Sequence, residues 1–482
     1  MKLWMIAPEV SPLSRTGGLA EVVGSLPAAL AGLGLEVTVV SPRYRSVGAA
    51  GVPLETLDVA PELVVGGRPI RLSVEQARTA GAPVRHLLVR HDPFFDREHL
   101  YGTPAGDYPD NLARFVALSR GALEVAAALG ERPDILHAHD WQAALVPVYA
   151  RTLYAAACAR ARTVLTVHNL AYQGIFPDHE FPATGLDWRR FNWRELEYYG
   201  RVNLLKGGLV YADAITTVSP SYARQIRRPE FGCGLDGVLR ARSDDLFGVI
   251  NGADYALWNP GTDPHLPHRY VNGTLDGKAA CKAALQRELG LAPDPRVPLF
   301  GMVGRFAEQK GFDLVVRAAP ELAATGVQVA ILGSGDASIA QRVAALPSRF
   351  PSVFAVRVGF DEPLSRRILA GADAFLMPSI YEPCGLSQLY AMRYGAVPVV
   401  RSTGGLADTV TPETGFGFEA ADPSALAAAV RSAAAAYQDR ERWARLVRAA
   451  MRQDFSWDRS AREYADLYRR VAEAPARAPA VL

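Results

Sequence analysis

Four groups of residues in this 482-residue chain have types and spacings suited to chemistry. The phrase Thr-Gly-Gly-Leu-Ala occurs at 16–20 behind Arg15 and returns at 403–407. Glycine pairs before a helical pattern let the backbone turn tightly and approach a ligand closely, and a helix start attracts anions. The stretch GRFAEQKGFD places Arg305 at a strand end and Lys310 five residues on, two cations suited to a diphosphate. In PSIYEPCGLSQ, Glu382 stands in a loop where a carboxylate can accept hydrogen bonds from sugar hydroxyls. Finally, HAHD at 137–140 sets His137 and His139 on the same side of a strand.

Each group also has a plainer reading. A glycine pair is common helix-start punctuation, two cations can be solvated, and an acid in a first turn can simply pair with the helix dipole. Two copies of one phrase at corresponding positions favour a shared anionic ligand. Lysine usage adds a smaller hint: Lys2, Lys206, Lys278, Lys282 and Lys310 are the five lysines among 52 basic residues. Lys310 therefore reads as a chosen compact ammonium, whereas Lys278 and Lys282 read as helix-surface residues.

These groups need a scaffold. Apolar runs at 3–7, 36–41, 84–89, 134–139, 163–168 and 214–219 alternate with helical patterns, as do runs at 298–304, 327–333, 353–359, 372–379 and 397–402. Unbroken apolar strands separated by helices predict parallel sheets covered on both faces. The Gly-, Pro- and Asn-rich stretch 252–297 interrupts the rhythm. The fold class is therefore α/β, with two Rossmann-like doubly wound domains over 1–255 and 256–456. A helix over 457–475 docks back on the first, and the tail PARAPAVL (475–482) is frayed.

A net charge of +2 argues against nucleic acid or an anionic membrane as partner. The four scattered cysteines read as reduced thiols in a cytoplasmic protein. The apolar N-terminal run stops at Pro8 and Glu9, which reads against a signal peptide.

Taken in order, RTGGL, HAHDWQAAL, TVHNLAYQG, TTVSPSYA, NGADYALWNP, GRFAEQKG, EPCGLSQLYAMRYG and RSTGGLADTV resemble the bacterial glycogen synthases and their plant starch synthase relatives, from Met1 to about Trp457. The resemblance implies the GT-B fold, with two domains facing across a deep cleft. It also implies transfer of glucose from ADP-glucose to the non-reducing end of an α-1,4-glucan, with retention of configuration and without metal or organic cofactor. It assigns Arg305 and Lys310 to the leaving diphosphate, Glu382 to the donor sugar, and His168 to the side of the reacting glucose. Asp140 and Asn169 become polar neighbours in that pocket. Arg15, Gly17, Gly18 and Glu21 belong to the first glycine loop, and Thr403, Gly404, Gly405 and Leu406 to the second, with backbone donors around the phosphates. Cys384 and Gly385 follow Glu382, and Phe360 falls where the family often has an aromatic near adenine.

Three positions depart from the common pattern. Arg15 replaces a lysine, Glu21 replaces an aspartate, and Tyr390 stands where the wider retaining class has a second glutamate. The last supports the narrower family; the first two bear on donor preference. With no second carboxylate suited to be a nucleophile, front-face attack is the expected route to retention. Other readings are a related transferase using UDP-glucose or another acceptor, a silent glucan-binding protein, and a zinc hydrolase built on HAHD with His168 or Asp140 as third ligand.

Overall fold

The computed structural model describes residues 1–78, 83–103 and 105–475. The expected frayed tail therefore lies, but for Pro475, outside the described residues. The chain divides into two compact units: Met1–Gly252 together with the chain from Trp457 on, and Ala253–Ser456.

The first unit is built on a nine-stranded sheet. Seven parallel strands run in the spatial order Leu246–Gly248, Ala214–Thr217, Arg162–Val167, Ile135–His139, Lys2–Ile6, Glu36–Pro42 and Val84–Arg90. Ser73–Ala77 and Leu54–Thr56 then extend the edge antiparallel. The central strands are apolar because both faces are covered: Ile135–His139 is buried at every residue. The antiparallel edge was not foreseen, since its short strands carry Ser, Glu, Gln and Thr rather than an apolar run.

In the second unit six parallel strands run in the order Phe354–Val358, Gln328–Gly335, Leu299–Phe306, Ala374–Met377, Val397–Arg401 and Phe416–Phe418. Numbered along this unit the order is 3-2-1-4-5-6, the doubly wound arrangement in which ligands bind where the strand order reverses. That reversal lies between Leu299–Phe306 and Ala374–Met377, and in the first unit between Lys2–Ile6 and Ile135–His139. The loops leaving these four strands carry Arg15, Asp140, Lys310 and Glu382, while His168 and Asn169 follow Arg162–Val167 and the second glycine phrase follows Val397–Arg401.

The helix Trp457–Glu473 turns Trp457, Ala461, Tyr464, Leu467 and Tyr468 inward within the first unit. A Cβ at Gly252 would stand 2.6 Å from the Trp457 ring, so this glycine makes room for the helix start. The Ser460 hydroxyl donates to the Ile250 carbonyl at 2.6 Å.

The lysines correct the surface reading. Lys278 is buried and donates to the carbonyls of Ala370, Ala372 and Tyr394 at 2.8–3.0 Å, tying off the ends of two helices. Its desolvation lowers the ammonium pKa to about 8. Lys282 is buried against Asp373 at 2.7 Å, and Lys206 donates to the carbonyls of Trp193 and Glu197. A long stem ending in three donors can reach carbonyl groups deep within the unit. Among the described residues no helix is long and apolar enough to cross a membrane.

Candidate active site

In the first unit the loop after Lys2–Ile6 carries Arg15, Thr16, Gly17 and Gly18, all exposed, and Glu21 follows on the next helix. Thr16 is not the helix cap that its type suggests. Gly17 caps the helix Gly18–Gly32, while Thr16 turns back to Glu9: its N–H donates to Oε2 at 2.5 Å and its hydroxyl to both carboxylate oxygens at 3.1 Å. Burial raises the Glu9 pKa, against which those donors pull down. Glu9 thus pins the loop that presents Arg15. Its signal in the sequence was an acid six residues before Arg15 in an otherwise apolar run. Gly24 lets this loop cross the helix, since a Cβ there would stand 2.8 Å from the Ser11 carbonyl oxygen.

The strands Ile135–His139 and Arg162–Val167 deliver His139, Asp140, His168 and Asn169 side by side. Asp140 has φ +55°, a left-handed conformation that Asp tolerates better than most residues. That turn brings its Oδ1 to the His168 N–H at 2.7 Å. Burial pushes its carboxyl up to about 7, opposed by the N–H groups of His168 and Asn169. His137 and His139 do face the same way, with ring centroids 4.1 Å apart. His137 has no nitrogen left for a zinc ion, since it bonds the hydroxyls of Thr166 and Tyr468 at 2.6 and 2.8 Å, and His139 Nδ1 lies 3.0 Å from His168 Nε2. Among the described residues no group of three ligand-type side chains could hold a metal ion.

In the second unit three loops interlock at the reversal of strand order. Lys310 Nζ lies 2.7 Å from Glu382 Oε2, which also accepts from the Ser379 hydroxyl at 3.0 Å. The Ile380 N–H donates to the Gln309 carbonyl at 2.8 Å. Gly311 has φ +71°, and a Cβ there would stand 2.0 Å from the Pro378 carbonyl oxygen. Arg401, unmarked in the sequence reading, holds the same loop through the carbonyls of Ser379 and Ile380 at 3.3 and 2.5 Å. Arg305 stands exposed one residue before its strand ends.

The second glycine phrase braces this loop. Thr403 is buried and again is not the cap; Gly404 is, at φ +49°. The Gly405 N–H donates to the carbonyls of Glu382 and Pro383 at 3.1 and 3.2 Å, and the Leu406 N–H to Thr403 at 3.1 Å. Gly405 and Leu406 were expected to offer N–H groups to phosphates; here those groups hold the Glu382 loop and the turn itself. Gly385 lies two residues before the helix Ser387–Arg393, and Cys384 is buried. Tyr390 lies flat against Trp258, with centroids 3.9 Å apart, so this position is a packing residue. Phe360, beyond the edge strand Phe354–Val358, stands 78% exposed.

Two doubly wound units, each with charged loops at its strand-order reversal, define a glycosyltransferase of the GT-B class. Residues 2–241 match the starch synthase catalytic domain and 297–435 match glycosyl transferases group 1. A glycogen synthase of Anaeromyxobacter dehalogenans is 50% identical, covering 98% of this chain and 99% of that one. Glycogen synthase 2 of Geobacter sulfurreducens is 47% identical over the same shares. The catalytic domain of starch synthase IV from Arabidopsis thaliana, bound to ADP and acarbose, superposes with a TM-score of 0.90 at 36% identity, covering 98% and 99% of the two chains. The chain belongs to the glycogen synthase family, and its activity is that of a glycosyltransferase of glycogen synthesis.

Proposed function

We propose that the protein transfers glucose from ADP-glucose to the non-reducing end of an α-1,4-glucan with retention, in the cytoplasm. The observation that carries this reading is the Lys310–Glu382 pair beside Arg305 at the strand-order reversal of the second unit. The bond from glucose C1 to the diphosphate oxygen breaks, and its electron pair leaves with ADP. Arg305 and Lys310 stabilise the charge that grows there, and as fixed cations they do so without reorganising during the step.

Glu382, held by Lys310 and Ser379, accepts hydrogen bonds from the donor sugar. His168, Asp140 and Asn169 are assigned to the reacting glucose, and Arg15, Gly17, Gly18 and Glu21 of the first glycine loop to the donor. The acceptor hydroxyl attacks C1 on the face the diphosphate leaves, and its proton passes to the departing phosphate oxygen. Thr403, Gly404, Gly405, Leu406, Cys384 and Gly385 shape the loop that carries Glu382, and Phe360 offers an exposed ring to adenine.

The test is nucleotide release with glycogen as acceptor, comparing ADP-glucose with UDP-glucose. Glycogen-dependent ADP release several-fold faster than UDP release is expected; faster release of UDP would overturn the donor assignment.

A further inference from the structure

Three imidazoles stand in a row in the first unit. The rings of His137 and His139 are 4.1 Å apart, and those of His139 and His168 are 5.3 Å apart with planes 28° from parallel. His137 spends both nitrogens on hydroxyl groups, Nε2 on Thr166 and Nδ1 on Tyr468 of the terminal helix. Its ring is thereby fixed, and it holds one face of His139. Burial keeps all three rings neutral, lowering the pKa of His137 and His168 to about 3 and that of His139 well below its usual range.

The middle ring decides where the protons sit. A neutral imidazole has one N–H and one bare nitrogen. His139 Nδ1 lies 3.0 Å from His168 Nε2, so one must donate and the other accept. The other nitrogen of His139, Nε2, is buried and has no partner among the described residues. A proton on Nε2 would be an orphaned buried donor, which folded proteins avoid more strictly than an orphaned acceptor. The proton therefore sits on Nδ1 and is donated to His168 Nε2. His168 must then carry its own proton on Nδ1, and its side chain makes no other hydrogen bond among the described residues.

We infer that His139 is a positioning residue that locks His168 in the Nδ1–H tautomer, so that His168 presents a fixed, uncharged N–H to an oxygen of the bound sugar nucleotide. This rests on the placement of His168 beside the donor in the function proposed above. A donor of unvarying charge and direction costs no reorganisation when the C1–oxygen bond breaks. The ring in its other tautomer would point a lone pair at the same oxygen.

Nitrogen-15 NMR of the full-length enzyme labelled at histidine reads the tautomer without any substitution. His168 Nε2 is expected in the range of an unprotonated acceptor and Nδ1 in that of an N–H; the reverse pattern overturns the inference. Kinetics give an independent readout. His139→Leu removes the donor and is expected to lower kcat about ten-fold or more, the worth of one buried hydrogen bond, with KM for glycogen unchanged. His139→Asn keeps an N–H near the place of Nδ1 and is expected to restore most of that loss. Full activity in His139→Leu, or equal loss in both variants, overturns the inference. His168→Ala separates the two levels. Full activity there removes His168 from the donor site, whereas loss in His168→Ala beside an unimpaired His139→Leu sinks the positioning role alone.

Discussion

Lys310 Nζ and Glu382 Oε2 meet at 2.7 Å across 72 residues of sequence, tying the loop after Leu299–Phe306 to the loop after Ala374–Met377. In the reaction proposed above Lys310 has two separable tasks: compensating a buried carboxylate and facing a leaving diphosphate. Lys310→Ala is expected to lower kcat at saturating donor about a hundred-fold or more. It should also cost about 1–3 kcal/mol of stability, because Glu382 is left buried without its partner. The double variant Lys310→Ala/Glu382→Gln should recover the stability in denaturant titrations but not the turnover. Recovery of both would reduce Lys310 to a partner for Glu382. Arg305→Ala, at an exposed position, should lose turnover with little change in stability.

The two glycine phrases should answer differently to the same substitution. A Cβ at Gly17 would meet nothing within 4 Å among the described residues, and its φ of −164° suits any residue. A Cβ at Gly404 would lie on the Glu382 carbonyl oxygen, at a φ of +49° that disfavours side chains. Gly17→Ala is expected to leave the melting temperature nearly unchanged. Gly404→Ala should cost about 2–5 kcal/mol from strain and overpacking together, and should weaken donor binding by displacing the Glu382 loop. Equal effects in calorimetry would refute the bracing role of the second phrase.

The carboxyl of Asp140, raised to about 7 by burial, binds a proton in the folded enzyme over a range where the unfolded chain has released it. Its contribution to stability is therefore complete below its ordinary value of 3.8 and is lost as pH rises through about 7. Asp140→Asn removes this loss while keeping an oxygen for the His168 N–H. Relative to wild type, the variant should gain stability between about pH 4 and pH 8 and run parallel outside that window. A difference that does not change with pH would show that the carboxyl titrates in its ordinary range.

Much of this protein could be read along the chain. Each of the eleven apolar runs became a parallel strand, because a strand buried on both faces must be apolar throughout. The same reading passed over the edge strands, whose polar residues carry no such pattern, and it placed Lys278 and Lys282 on the surface. For those lysines the deciding partners, Ala370, Ala372, Tyr394, Val297 and Asp373, are distant in sequence, and no local pattern announces them.

The candidate site divides in the same way. The types of Arg15, His168, Arg305, Lys310 and Glu382 and the loops that carry them are properties of the chain alone, since strand ends and glycine turns are local. Which atoms meet is a property of the folded chain. Thr16 looked like a cap and instead serves Glu9; the Gly405 N–H looked like a phosphate donor and instead holds the Glu382 loop. The first contact is made within one loop, by a turn that folds Thr16 back on Glu9 seven residues earlier. The second follows from the order of strands, which sets side by side the loops leaving Ala374–Met377 and Val397–Arg401, just as it joins Lys310 to Glu382 across 72 residues.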